Sequence, residues 1–229
     1  MFHQKENYVN FFEHLYSSKE LEKIISTFDL KFSKNELKFL ERYNFDPIYF
    51  VYSFYDYLFK HNSIPNQKEF IKFYMESNID KLKEGYLKDG MEYSKKYKFN
   101  YKVKDLLDYL KWRLMRTYPS YIRDMHFSIL VKEKLSSRDV FYNPELDVKK
   151  GIDILIDDKY KINLYVSTER SEYYRLKKFS RHTPDESLID IDLPLSFERS
   201  KKVGRFFLYN MSHVEDIVKN INKFEKSMR

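Results

Sequence analysis

GIDILIDDKYKINLYVS (residues 151–167) alternates apolar and polar side chains over two short runs. Successive side chains of a β-strand point to opposite faces, so this period of two marks a pair of half-buried strands. Ile152, Ile154 and Ile156 share one face of the first strand, and Ile162, Leu164 and Val166 share one face of the second. A one-residue slip would turn one set outward, so the pairing has to preserve parity. Aligning the two sets end to end predicts Ile152 opposite Val166, with an odd-length loop around Asp158-Lys159-Tyr160. Asp153, Asn163 and Tyr165 then lie together on the other face, with Asp153 across from Tyr165.

Upstream, DVFYN (139–143) reads as a third strand, and residues 120–135 form an amphipathic helix on which the six aliphatic residues are expected to pack. Downstream come a basic helix, SEYYRLKKFSR (171–181), a strand SLIDIDLPL (187–195), a strand RFFLYN (205–210) and a helix from about Ser212.

The first hundred residues are a succession of helix starts. Ser17 with Glu20, and Ser33 with Glu36, have the spacing of capping boxes, and Asp46-Pro47 is a further start because proline tolerates the first helical turn. PIYFVYSFYDYLFKH (47–61) is aromatic on nearly every side, which predicts burial on most faces. Ser63-Ile64-Pro65 opens the next helix, NQKEFIKFYMES (66–77). Two helices across so short a turn suit either a helical hairpin or a DNA-reading helix-turn-helix with Lys68 and Lys72 toward phosphate. The second helix lacks a row of base-reading side chains, so the hairpin is expected. Residues 80–100, with Gly85 and Gly90, read as a surface connection. A helix resumes at Val103 and is expected to stop where Tyr118-Pro119 interrupts it. Trp112 among Lys111, Arg113 and Arg116 is either a base-stacking platform or, as is commoner, a core residue beneath solvated charges. The expected organisation is α+β: a helical region over 1–100 for DNA or partner contact, then a small α/β domain over 101–229 with a mixed sheet flanked by helices.

The chain has 42 basic against 35 acidic residues, a net charge of +7. That balance suits either an anionic partner such as nucleic acid, DNA before RNA, or a well-solvated surface. It contains no cysteine, which excludes disulfides, thiolate metal sites and a cysteine nucleophile. The six histidines show no metal-ligand spacing, and His126, on an apolar stripe, reads as a hydrogen-bonded, partly buried residue. No Gly-rich phosphate loop or nucleophile elbow is present. With no signal-peptide pattern and no long apolar run, a cytoplasmic protein without membrane contact is expected.

The order helix, three-strand meander, helix, strand resembles the core of the PD-(D/E)XK nuclease superfamily. The resemblance rests on FYNPELDVKKGIDILIDDKYKINLYVST (141–168), where Gly151-Ile152-Asp153 looks like the family's metal-binding aspartate on its second strand. It implies a restriction-endonuclease-like fold and a Mg²⁺-dependent phosphodiesterase, with Asp153 as principal metal ligand and Asp124 as a supporting acid on the preceding helix. In that family a Glu or Gln on the next strand completes the metal site and a Lys two residues on activates water. Here those positions hold Asn163 and Tyr165, an oxygen donor without charge and a phenol. Two outcomes follow from that departure. The cation has moved to the basic helix, where Lys177 and Lys178 take the catalytic part and Glu169 or Glu172 completes the acids, or the site is extinct and the fold serves as an adaptor. On that same helix Arg170, Arg175, Lys177, Lys178 and Arg181 form a phosphate-tracking face. The helical N-terminal region is the expected place for protein partners.

Overall fold

Asp157 and Asp158 set where the central hairpin turns. Both adopt left-handed backbone angles, φ 54° and 51°, a conformation that aspartate tolerates better than most residues. Asp157 is also held from outside: its carboxylate accepts hydrogen bonds from the Asp139 amide at 3.0 Å and from Arg138 Nη1 at 2.6 Å. The structure, a computed structural model, describes residues 7–32, 50–82, 84, 103–168 and 187–227. In chain order its elements are α1 (Tyr8–Leu15), α2 (Ser18–Ser26), α3 (Phe50–His61), α4 (Gln67–Lys81), α5 (Val103–Lys134), β1 (Val140–Phe141), α6 (Pro144–Lys150), β2 (Ile154–Ile156), β3 (Tyr160–Val166), β4 (Ile189–Leu195), β5 (Lys201–Val203), β6 (Phe206–Leu208) and α7 (Met211–Ser227). The fold is α+β.

One sheet has the order β1-β2-β3-β4, antiparallel across its first three strands and parallel between β3 and β4. Parallel neighbours need a long crossover; the basic helix expected within it, with the capping box at Ser33 and the start at Asp46-Pro47, lies outside the described residues. β5 and β6 pair as a separate hairpin. The central hairpin has odd-length loop Asp157-Asp158-Lys159, as parity requires, but Ile154 faces Ile162 and Ile156 faces Tyr160. The register is therefore two residues from the expected one, because the two left-handed aspartates start the turn at Asp157 and release Tyr160 into β3. Ile152, Ile154, Ile156 and Ile162 are buried, whereas Leu164 and Val166 are only half-buried.

Two local features depart from the sequence reading. α6 was not expected, although Asn143 caps it, Pro144 occupies its first turn and Gly151 ends it at φ 66°. α5 does not stop before Pro119 but runs through it. A proline in a helix orphans the carbonyl four residues back, here Met115, and the side-chain amide of buried Gln67 donates to that carbonyl at 3.0 Å. The substitute hydrogen bond removes the main reason for the helix to break.

The chain forms two compact units, Met1–Thr27 with Ile122–Arg229, and Phe28–Tyr121, where a single boundary near residue 100 was expected. α1 belongs to the first because Asn7 ties it to β1: its side chain donates to the Val140 carbonyl at 2.7 Å and accepts from the Tyr142 amide at 3.2 Å. In this unit the capping box of Ser17 and Glu20 forms as expected, and α7 packs against β4. In the second unit α3 and α4 pack as a hairpin, with Phe54, Phe70 and Tyr118 in mutual ring contact. Trp112 is 8% exposed beside Tyr109, with Arg116 4.6 Å from its ring and Lys111 paired to Asp108. It is a core residue. No helix among the described residues is long and apolar enough to cross a membrane.

Candidate functional site

Gly151 leaves the end of α6 in a left-handed conformation and turns the chain into β2, so Asp153 stands at the foot of that strand. Its side chain is half-buried, and Oδ2 accepts a hydrogen bond from the Leu164 amide of β3 at 2.6 Å. Continuing the observed register by one residue sets Asp153 beside Asn163, not Tyr165 as expected from sequence. The aspartate is therefore a structural acceptor for β3 as well as a register neighbour of Asn163.

Asn163 is held from its other flank. Its side-chain amide donates to Asp190 Oδ1 at 3.0 Å and to Asp192 Oδ1 at 3.1 Å; the parallel pairing of β3 with β4 sets Asp192 level with it and Asp190 level with Lys161. With the NH₂ group committed to those two acids, the amide oxygen is the atom left for a cation. Lys161, two residues earlier on β3, pairs with Asp190 at 3.2 Å and is largely covered. Tyr165 contributes its backbone carbonyl, which accepts from the Tyr209 hydroxyl at 3.2 Å.

Tyr209, which follows β6, is fully buried. Its hydroxyl lies 3.2 Å from both the Tyr165 and Leu193 carbonyls, across the ends of β3 and β4. Burial pushes the phenol well above its ordinary range, the negative charges of Asp124 and Asp153 push it further, and Arg123 opposes them. Asp124 on α5 and Asp153 at β2 thus act on one buried group. Arg123 is fixed nearby by donating Nε–H to the Phe207 carbonyl at 3.1 Å. Both acids offer the hard oxygen atoms that Mg²⁺ prefers, and one or two carboxylates with waters is a usual number for that ion. No group of three or more acidic or histidine side chains suited to holding a metal occurs among the described residues.

Arg170, Arg175, Lys177, Lys178 and Arg181, with Glu169 and Glu172, fall outside the described residues. His126 is fully buried, with Nε2 3.1 Å from Glu22. Lys161, Asp190, Asp192, Tyr209 and Arg123 were not singled out from sequence. The alternation in SLIDIDLPL already carried the signal for the two aspartates, since it places them on the polar face of a strand. Tyr209 had no comparable signal, because its role comes from carbonyls far away in sequence.

No family model, curated protein or solved structure matches the chain.

Proposed function

We propose that this is a nucleic-acid-associated cytoplasmic protein whose sheet-bearing unit is nuclease-like, with Asp153 as principal ligand and Asp124 as supporting acid for Mg²⁺. The observation that supports it is the mixed sheet of order β1-β2-β3-β4 with a β3–β4 crossover, in which the β2–β3 register sets Asp153 beside Asn163. Carboxylates repel a phosphodiester unless a cation stands between them, and that is the part proposed here for the metal. A bound divalent ion would polarise the scissile phosphate and lower the pKa of water. The chain's own part is to hold the ligands. The Leu164 amide orients the Asp153 carboxylate, and Asp190 and Asp192 turn the Asn163 amide so that its oxygen is left over.

The second reading is a non-catalytic adaptor. It is favoured by Tyr165 at the position of the water-activating lysine and by the engagement of Lys161 with Asp190. In that reading the acids are structural and the basic residues Arg170 to Arg181 bind nucleic acid without cutting it.

The deciding experiment offers single- and double-stranded DNA and RNA to the full chain, with Mg²⁺, with Mn²⁺ and with chelator. Asp153→Asn keeps an acceptor for the Leu164 amide but halves the carboxylate charge of the pair, so it should abolish metal-dependent cleavage and leave the melting curve close to wild type. Cleavage that persists in Asp153→Asn refutes the assignment of the site. Wild-type binding without cleavage, weakened by charge reversal at Arg175, Lys177 and Lys178, selects the adaptor.

A further inference from the structure

α7 has more apolar surface than the core uses. His213, Val214, Ile217 and Ile221 face inward. Met211 and Val218 lie on the neighbouring stripe, and with Leu135 and the flank of Val214 they floor a groove of about 750 Å³. Met211 is 41% exposed there. Lys134, Lys219, Lys223 and Lys226 stand around this floor, with Glu215 as the single acid in the lining. All four lysines are exposed, and none is engaged in an ion pair among the described residues. Two cations elsewhere in this unit are neutralised instead: Arg199 pairs with Asp216 and Lys201 with Glu22, each at 2.6 Å.

We propose that this groove docks an acidic amphipathic helix of a partner protein, apolar stripe on the floor and carboxylates against the lysines. An apolar groove reading an amphipathic helix is a recurrent mode of recognition, with anchors at i, i+3 or i+4, and i+7. From Met211 to Lys226 the groove follows α7 for about 22 Å at 1.5 Å per residue, the length of a fifteen-residue helix. Charge and shape separate this occupant from the others. Nucleic acid supplies the anions but presents no apolar stripe for the floor. A bilayer surface is too flat to fill a concave groove. A second copy meeting this face with its own would set four lysines against four, a like-charge juxtaposition that opposes docking.

The test uses a fluorescein-labelled fifteen-residue peptide with leucines on one helical face and glutamates on the other, titrated with the full chain and followed by anisotropy. The ordered peptide should bind saturably, and a scrambled peptide of the same composition should bind about tenfold more weakly or less. Val218→Glu and Met211→Glu should each weaken the ordered peptide about tenfold, with unchanged melting curves showing that the fold survives. Met211 is exposed, so at least that variant should fold. Lys219→Glu with Lys223→Glu should weaken binding and flatten its salt dependence. The proposal is overturned if the ordered peptide fails to bind, if the scrambled peptide binds equally, or if neither apolar substitution matters. It is also overturned if duplex DNA, phosphatidylserine vesicles or self-association, in place of the peptide, depends on Met211 and Val218.

Discussion

Replacing Glu22 by glutamine should remove a charge that ties three elements together. Glu22 projects from α2, and its Oε1 lies 3.1 Å from Nε2 of His126 on α5. Oε2 accepts from Lys201 Nζ of β5 at 2.6 Å. The hydrogen bond with His126 is the largest cause holding the carboxyl down to about 2; burial works against it, and Lys201 adds to it. A displacement from 4.5 to about 2 corresponds to roughly 3 kcal/mol at ~1.36 kcal/mol per pH unit. Water still reaches the carboxylate, whose side chain is 18% exposed, and screening reduces the usable part to about 1–2 kcal/mol. Glutamine retains an acceptor for His126 but no charge, so Glu22→Gln should lower stability at pH 7 by about that amount. For a chain of this size the melting temperature should fall by roughly 2–8 °C.

The pH dependence gives the sharper check. A folded-state pKa below the unfolded value stabilises the protein fully above the unfolded value, near 4.5. The contribution then shrinks as pH falls toward about 2. Urea titrations of both proteins at intervals from pH 7 to pH 2.5 should therefore show two curves converging through that window, with a common denaturant slope. A Glu22→Gln variant as stable as wild type at pH 7 would refute the ion-pair argument. So would a deficit that stays constant down to pH 2.5, because a difference independent of protonation is a packing effect.

Gly204→Ala should destabilise by about 2–4 kcal/mol, combining left-handed strain with overpacking. Gly204 has φ +56°, and an added Cβ would sit 2.9 Å from the Ser26 backbone oxygen; a denaturation midpoint equal to wild type would show that the β5–β6 turn moves freely from α2. Tyr118→Phe should cost about 1–2 kcal/mol in urea unfolding, since the buried hydroxyl donates to the Pro65 carbonyl at 2.7 Å and its removal orphans that acceptor. A neutral result would mean water reaches Pro65.

What could be read from sequence, and what could not, divides by the distance over which each feature is decided. Parity of the hairpin was legible because it is a property of the two strands themselves; Ile154 and Ile162 share a face whatever the turn does. The register was not, because it depends on Arg138 and the Asp139 amide reaching Asp157 from outside the hairpin. The helical pattern of α5 was legible, but its passage through Pro119 rests on Gln67, 48 residues from the carbonyl it satisfies. α6 shows that a local signal can still be missed: Asn143, Pro144 and Gly151 bracket it completely, but it is only seven residues long and interrupts a stretch dominated by strand alternation. The same division applies to the site. Asp153 stands out in sequence as a carboxylate breaking an aliphatic run. That its oxygen receives the Leu164 amide follows only from the pairing of β2 with β3. This second attachment bears on how the acid can be tested. Alanine would remove the proposed ligand and the strand acceptor together, so a loss of cleavage could not be separated from lost structure. Asparagine removes the charge and leaves an oxygen where the amide needs one.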